Sequence, residues 1–500
     1  MRTKKVLLNL ITDVIPMLVV SLLGIFKFKL FVQVLGQEVQ GMYQLFTQIM
    51  FYIAIVDGGL SSAVLHALYR PNTENNKEQM NEIFSGAKRI FSFLGIIIYG
   101  LAFVVSFFVP YFIKNCPFEH RYVMITFLLF ATSSVISYFF VPYQCLLEVK
   151  EHRYIYNSIY QVGQIAQSIL EIVMLLAGVD FFIILMMHSV VKLCIYSTVA
   201  VIAKKKFPEY NFKNEKKDYS FRGQVKHLMF HKINGLIGSN IDVLIVTRFL
   251  GLTATNVYST YNYIINMMKQ IVEKIYSSLL AILGNILSKD KNQAYALFKE
   301  LNSLLFFIAT AVCVPLVLAI DYFIQIWYEN MIQTDKMIAF AFCGLLFLAI
   351  IKIAITVFVN AGGLFEQTKK CAMTDTIVNL SLSLVLVNFM GVSGVIYATC
   401  ISVFIAEYIM KTRVIHKELF QCSSKHYFVN NLKFWVIVLV DFLLGNKIIS
   451  VLVIDNIVIW FIVFVIFTII NGAALLGIYA LLKEITFLKR VSYLIKNKGE

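Results

Sequence analysis

Apolar residues run in long blocks through this chain, separated by short polar or basic segments. Blocks of about twenty residues match the length a helix needs to cross the hydrocarbon core of a bilayer. This spacing predicts helices near 6–35, 42–69, 86–113, 121–147, 154–178, 181–203, 226–250, 256–287, 300–327, 337–361, 371–390, 394–411, 430–446 and 456–482. The expected first and eighth helices are longer than a simple span and less uniformly apolar. Such helices face a bundle interior or a cavity on one side.

Composition agrees with the pattern. The 500 residues are 59% hydrophobic and 15% charged, with a mean hydropathy of +0.76. A soluble domain is about half apolar and about a quarter charged. The expected class is therefore an all-α polytopic membrane protein of about fourteen transmembrane helices. The N-terminus, Arg2, Lys4 and Lys5 followed by an apolar run, has the outline of a signal peptide, but Asp13 and Pro16 interrupt that run, and we read it as a retained first helix. Eight cysteines are scattered through the chain without a CxxC pair, so neither a disulfide framework nor a zinc site is expected, and no cofactor.

The net charge of +15 invites a nucleic-acid reading, which the positions of the charges oppose. With the N-terminus in the cytoplasm, external connections hold only Lys114, Arg121, Lys336 and Lys447 of the 44 Lys and Arg residues. Most of the others fall in cytoplasmic connections, the asymmetry that orients membrane proteins, so both termini are expected inside. The longest basic segment, 204–226, splits the chain. The external loops are short, for example 35–41 and the turn at Gly391, and leave no room for an external catalytic domain.

An internal repeat underlies the helices. Leu35-Gly36 is followed by Tyr43, and Leu250-Gly251 by Tyr258, at an offset of 215. Gly178-Val179 and Gly391-Val392 recur at an offset of 213, and Glu151 and Glu366 at 215. Six helices separate each pair, so the repeats share one orientation. Parallel repeats are related by an axis along the membrane normal, with a substrate site between them. The expected organisation is an N-lobe over 1–203, a basic cytoplasmic linker over 204–225, a C-lobe over 226–415, two further helices with their preceding loop over 416–482, and a basic tail over 483–500.

Three stretches carry a family resemblance: LGQEVQGMYQLFTQIMFYIAIVDGGLSSAVL at 35–65, NGLIGSNIDVLIVTRFLGLTATNVYSTYNYI at 234–264, and NAGGLFEQTKKCAMTDTIVNLSLSLVLVNFMGVSGVIYATCIS at 360–402. They resemble the first two, the seventh and eighth, and the tenth to twelfth helices of bacterial polysaccharide repeat-unit flippases, which belong to the multidrug/oligosaccharidyl-lipid/polysaccharide exporter superfamily. The likeness spans roughly residues 5–415. It implies two six-helix lobes around a central cavity, and transfer of an undecaprenyl-diphosphate-linked oligosaccharide between leaflets by alternating access. The product would feed a surface polymer such as O-antigen or capsule. It further implies a monomer in the inner membrane working beside a polysaccharide polymerase and glycosyltransferases. Two helices beyond the twelve-helix core also suit the lipid II flippases of the same superfamily.

A diphosphate head calls for cations at membrane depth, where ionisable side chains are costly and usually functional. Lys27 and Lys29 lie in the expected first helix, Arg248 near the outer end of the seventh, and Lys269, Glu273 and Lys274 in the middle of the eighth. We take Lys27, Lys29, Arg248, Lys269 and Lys274 as candidate substrate contacts. The competing reading is that they form internal salt bridges, with Lys29 and Arg248 snorkelling to the interface. At the repeat offset Lys27 corresponds to Asp242, which suggests a cross-lobe Lys27–Asp242 pair acting as a gate or structural lock. Asp57, just before Gly58-Gly59, suits either a helix break with a bound coupling ion or a carboxylate held by backbone amides. Glu273, four residues from Lys269 on one face, joins Asp57 and Asp242 as a gating or ion-coupling candidate. Asp321, Asp375, Glu407 and Asp441 fall nearer helix ends and read as interfacial. His227 and His231 have metal-ligand spacing but lack the glutamate of a zinc hydrolase. The tail 483–500 alternates bases with apolar residues, as an amphipathic membrane-surface helix does.

No Gly-rich phosphate loop is present, so ATP hydrolysis is not expected and the protein is not read as an enzyme. Competing functions are a lipid II-type flippase, a multidrug and toxin extrusion antiporter, a membrane glycosyl polymerase or ligase, and a scaffold. An antiporter for cations should show an acid-rich cavity, whereas the buried charges here are mainly basic. A polymerase or ligase usually carries a large external loop.

Overall fold

The computed structural model describes residues 2–210, 218–219, 241–287, 291–449 and 456–484; side chains are described from position 16 onward within these, apart from 17, 18, 271, 274–293 and 449. The chain divides into two compact units, Met1–Asn256 and Val257–Glu500. Among the described residues the structure is helical, and ten helices are long and apolar enough to cross a membrane.

In the first unit α1 (Arg2–Leu35) is followed by α2 (Gln37–Ala54), a 3-10 turn (Ile55–Asp57) and α3 (Leu60–Thr73). Then come α4 (Lys77–Ser106), the single turn α5 (Val109–Phe112), α6 (His120–Val135), a second 3-10 turn (Ile136–Phe140) and α7 (Val141–Val149). Helices α8 (Arg153–Leu176), α9 (Phe181–Lys206) and α10 (Asp242–Leu250) follow, with the opening turn of α11 (Leu252–Leu287). The expected second helix is thus α2 and α3 joined across a break. Gly58 and Gly59 both adopt left-handed φ (57° and 85°), a region open to glycine at no steric cost, which ends the 3-10 turn after Asp57. Of the expected seventh helix, only α10 and the residue before it fall among the described residues.

The second unit contains the rest of α11, then α12 (Lys291–Trp327), α13 (Lys336–Ala361) and α14 (Lys369–Val403). A π-helical turn (Phe404–Met410) leads into α15 (Lys411–Glu418), followed by α16 (Lys425–Ile449) and α17 (Ile457–Leu481). The expected eleventh and twelfth helices meet inside α14 at one non-helical residue, Gly391 (φ 60°, ψ −134°).

The repeat is visible in backbone geometry. Gly36 (φ 91°, ψ 164°) and Gly251 (φ 93°, ψ −174°) adopt nearly the same conformation. Gly36 N–H donates to the Val32 carbonyl and Gly251 N–H to that of Thr247; Gln40 donates to Gly36 and Thr255 to Gly251. Every partner is displaced by the same 215 residues. The Glu151–Glu366 match needs adjustment. Glu151 (φ 58°) closes α7 with its own N–H on Glu148 and the next residue's on Leu147, and the residue closing α13 in the same way is Gly363 (φ 66°), with bonds to Asn360 and then Val359. This six-to-one closure is a helix-ending motif that prefers glycine at the left-handed position.

Packing in the first unit is aromatic. Tyr43 sits 5.8 Å from Phe31 and 5.3 Å from Phe130, and Phe31 packs edge-on to Phe181 at 5.7 Å. Helices α8 and α9 approach closely because Gly163 has no Cβ; one built there would lie 2.4 Å from Ile195. Small residues at such crossings let membrane helices gain dispersion contacts. In the second unit, hydrogen bonds donated by side chains tie the last two helices down. Asn302 on α12 donates to Asn431 on α16 (2.9 Å), which donates to Tyr408 in the π turn (2.8 Å). Asn471 on α17 donates to Asp441 on α16 (3.1 Å), and the Trp460 indole donates to the Ala319 carbonyl (2.7 Å).

Candidate substrate site in the first unit

Helix α1 runs along α8, and α8 packs on α9. On α8 the residues Tyr156, Tyr160, Gln164, Gln167 and Glu171 follow at spacings of four, four, three and four, which places them on one face. On α9, His188, Lys192 and Tyr196 are four apart and share a face in turn. These two faces meet, and α1 adds Lys27.

Glu171 is the centre of the cluster. Its Oε2 accepts from Lys27 Nζ at 3.1 Å and lies 2.9 Å from His188 Nε2. Glu171 is 1% exposed and His188 3% exposed. An isolated carboxylate at that depth would be strongly penalised, and the two donors are what make its burial tolerable. Tyr43 packs against the His188 ring and closes this pocket on the α2 side. Lys27 keeps 28% of its side chain exposed, whereas that of Glu171 is almost wholly covered.

Lys192, one turn along α9 from His188, is held differently. Its ammonium lies 5.5 Å from the centre of the Tyr160 ring, and among the described residues no carboxylate lies within 4 Å of it. The cation–π contact stabilises it modestly and leaves its charge uncancelled. Counting Lys27 and Lys192 against Glu171, the cluster carries one surplus positive charge among the described residues, inside apolar helices. Such an arrangement attracts an anion.

The structure redistributes the residues selected from sequence. Lys27 pairs with Glu171, so the expected Lys27–Asp242 gate is corrected: the carboxylate that reaches Lys27 comes from the neighbouring α8 rather than from the repeat-related position. Asp242 is buried in the first turn of α10. Lys29 is half-buried on α1, and Asp57 ends the 3-10 turn after α2. Arg248 is exposed at the end of α10 and donates to the Tyr111 carbonyl at 3.2 Å, while Lys114 caps the same helix end through the Phe249 carbonyl at 2.6 Å. Lys269 is half-buried and Glu273 exposed on α11. The Lys274 side chain and both histidines of the 227/231 pair lie outside the described residues, as does the tail from 485 on. Among the described residues, no group of three or more His, Cys, Asp or Glu could hold a metal. Glu171 and Lys192 stand out as charged residues in apolar helices, but the clustering of Lys27, Glu171, His188 and Lys192 is not written in any one segment. In the second unit Glu407, expected at an interface, is 9% exposed and bonded to Lys411 at 2.6 Å.

No protein-family model matches this sequence, and no curated protein does. Solved structures do. A lipid II flippase, MurJ, in an inward closed conformation superposes with a TM-score of 0.71 at 15% identity, covering 94% of this chain and 98% of its own. The chain has the MurJ fold. A multidrug-resistance MATE family transporter of the MOP superfamily, inward-facing, superposes at 0.58 with 12% identity, covering 89% of this chain and 98% of its own. A MATE structure in the bent conformation reaches 0.53 at 14% identity, covering 88% of this chain and 95% of its own. Because the likeness runs the length of both chains, it is the whole MurJ-type architecture that is shared, in a multi-pass membrane protein. At these identities helices are matched and side-chain chemistry is not.

Proposed function

We propose that the protein is a flippase that moves undecaprenyl-diphosphate-linked oligosaccharide repeat units from the inner to the outer leaflet of a bacterial inner membrane by alternating access. The observation that carries this reading is the surplus positive charge of Lys27 and Lys192 against Glu171 inside apolar helices. A lysine without a counter-ion at that depth costs several kcal/mol, of order 3 on insertion scales. A diphosphate arriving at the cluster supplies the missing negative charge, so the penalty of the empty site becomes attraction for the substrate. A site for cationic drugs would need the opposite surplus. Surface polysaccharide synthesis (O-antigen or capsule), with a polymerase and glycosyltransferases acting on either side of the step, is the setting this implies, and the protein acts as a monomer. Lys29, Arg248, Lys269 and Lys274 are secondary candidates for the same head group, and Asp57, Asp242 and Glu273 for gating or ion coupling.

A lipid II-type flippase is the second reading. It is favoured by the likeness to MurJ along the whole chain, and it uses the same diphosphate chemistry. Deleting the gene and measuring inner-leaflet lipid-linked intermediates tests both. Under the first reading the repeat-unit intermediate accumulates, wild type clears it, and a stably expressed Lys192→Met variant does not. Accumulation of lipid II instead supports the second. An unchanged lipid-linked pool together with altered drug sensitivity would overturn both.

A further inference from the structure

The face of α8 that begins at Glu171 does not end there. One turn on lies Gln167, 8% exposed, whose side-chain oxygen is buried without a donor. The next residue on that face, Gln164, has its amide nitrogen buried without an acceptor. Beyond it Tyr160 and Tyr156 stack with ring centres 5.8 Å apart, and neither hydroxyl forms a hydrogen bond within the described residues. Opposite, Tyr196 of α9 comes to 6.4 Å from Tyr160, and Lys192 stands over that ring. Buried amides without partners are rare in folded proteins and unfavourable, the more so in an apolar surrounding. Two such amides in succession, on the face that carries the cation cluster, form an unfilled set of one donor and one acceptor. The tyrosine hydroxyls, each able to donate or accept, extend the same row.

That set is complementary to a sugar. A pyranose ring offers hydroxyls, and often an acetamido group, that donate and accept at short intervals, while its C–H faces pack against aromatic rings. We propose that the face of α8 carrying this row, bordered by Lys192 and Tyr196 of α9, binds the saccharide of a diphosphate-linked lipid, with Gln164, Gln167 and Tyr156 bonded to hydroxyl or acetamido groups and Lys192 meeting the charge where sugar joins phosphate. This rests on the flippase reading and adds to it the part of the protein that reads the glycan rather than the lipid carrier.

The test uses the full-length protein in nanodiscs and two probes, undecaprenyl diphosphate and undecaprenyl diphosphate bearing N-acetylglucosamine. Gln164→Leu and Gln167→Leu should each weaken binding of the sugar-bearing lipid about tenfold, the effect of one unmet hydrogen bond in a dry site, and leave undecaprenyl diphosphate unchanged. Lys192→Met should weaken both. Tyr156→Phe removes a single oxygen and keeps the stack, so it decides the matter should the leucine variants fold poorly; a loss of about fivefold, confined to the sugar-bearing lipid, is expected. Equal losses for both lipids, or none, would overturn the saccharide assignment while leaving the flippase reading intact. If the wild type binds neither lipid, the flippase reading falls and the role of this face falls with it.

Discussion

If Glu171 is the counter-ion that makes Lys27 tolerable, the two residues must be coupled in energy, and the structure sets the size of that coupling. Lys27→Met leaves a carboxylate 1% exposed with only His188 beside it. Glu171→Leu leaves an ammonium whose side chain is 28% exposed and therefore partly compensated by its surroundings. Breaking a buried pair costs roughly 3–5 kcal/mol, whereas replacing both partners with apolar residues is often close to neutral. Allowing for the exposure of Lys27, we expect about 3 kcal/mol for Lys27→Met, about 2 for Glu171→Leu, and about 1 for the double variant. The coupling is then about 4 kcal/mol in magnitude. For a unit of this size 1 kcal/mol corresponds to about 2–4 °C in midpoint. Thermal unfolding of detergent-purified protein, followed by fluorescence at a fixed scan rate, should therefore show each single variant melting several degrees lower and the double variant recovering most of the loss. Additive losses, with coupling below about 0.5 kcal/mol, would show that the contact does not hold Lys27 and would refute the reasoning.

The close approach of α2 to the start of α11 leaves no room at Gly41. A Cβ there would lie 2.1 Å from the Leu252 carbonyl oxygen, so Gly41→Ala should cost about 3 kcal/mol, visible as a lowered melting midpoint with no change in helix content by circular dichroism. Asn431→Leu removes the acceptor for Asn302 and the donor to Tyr408; about 1–2 kcal/mol should be lost, visible as a lowered melting midpoint. In native protein Cys422, exposed in the connection after α15, should react with maleimide, whereas Cys145, Cys313, Cys343 and Cys371 should require denaturation. A membrane-impermeant maleimide added to intact spheroplasts should spare Cys422, and rapid labelling there would reverse the expected orientation.

Much of the helical layout was legible because crossing a bilayer constrains composition so tightly. An apolar block of the right length has few other uses, and Gly36, Gly58-Gly59, Gly178, Gly251 and Gly391 mark turns that need left-handed backbone. The break after Asp57 was readable for that reason. The types of residue at the site were readable too, since a lysine or glutamate in an apolar helix is costly enough to need an explanation. Their partners were not. Lys27 meets Glu171 because α1 lies along α8, and helix adjacency is a property of packing that no local spacing encodes. The repeat suggested Asp242 as partner by symmetry, and symmetry ranks positions without placing side chains. One signal was available and would have helped: Tyr156, Tyr160, Gln164, Gln167 and Glu171 recur at helical spacing inside an apolar segment, and His188, Lys192 and Tyr196 do so in the next.

The π turn at Phe404–Met410 has a consequence for the phase of the helix that leaves it. A π turn accommodates one residue more than an α-helix would, and each residue of an α-helix advances about 100° around the axis. Everything after Met410 is therefore rotated by about that angle relative to an uninterrupted helix. Downstream, Thr412, Ile415 and His416 all point into packed surroundings at 0% exposure. Deleting one residue from the turn would tidy the hydrogen bonding and swing that row by more than a quarter of a revolution, bringing the charged neighbours Arg413 and Lys417 toward the aromatic rings of Phe298 and Tyr427. The irregularity thus works as an angular shim: it sets the azimuth at which the C-terminal end of this helix meets its neighbours, and a more regular helix would be the wrong one.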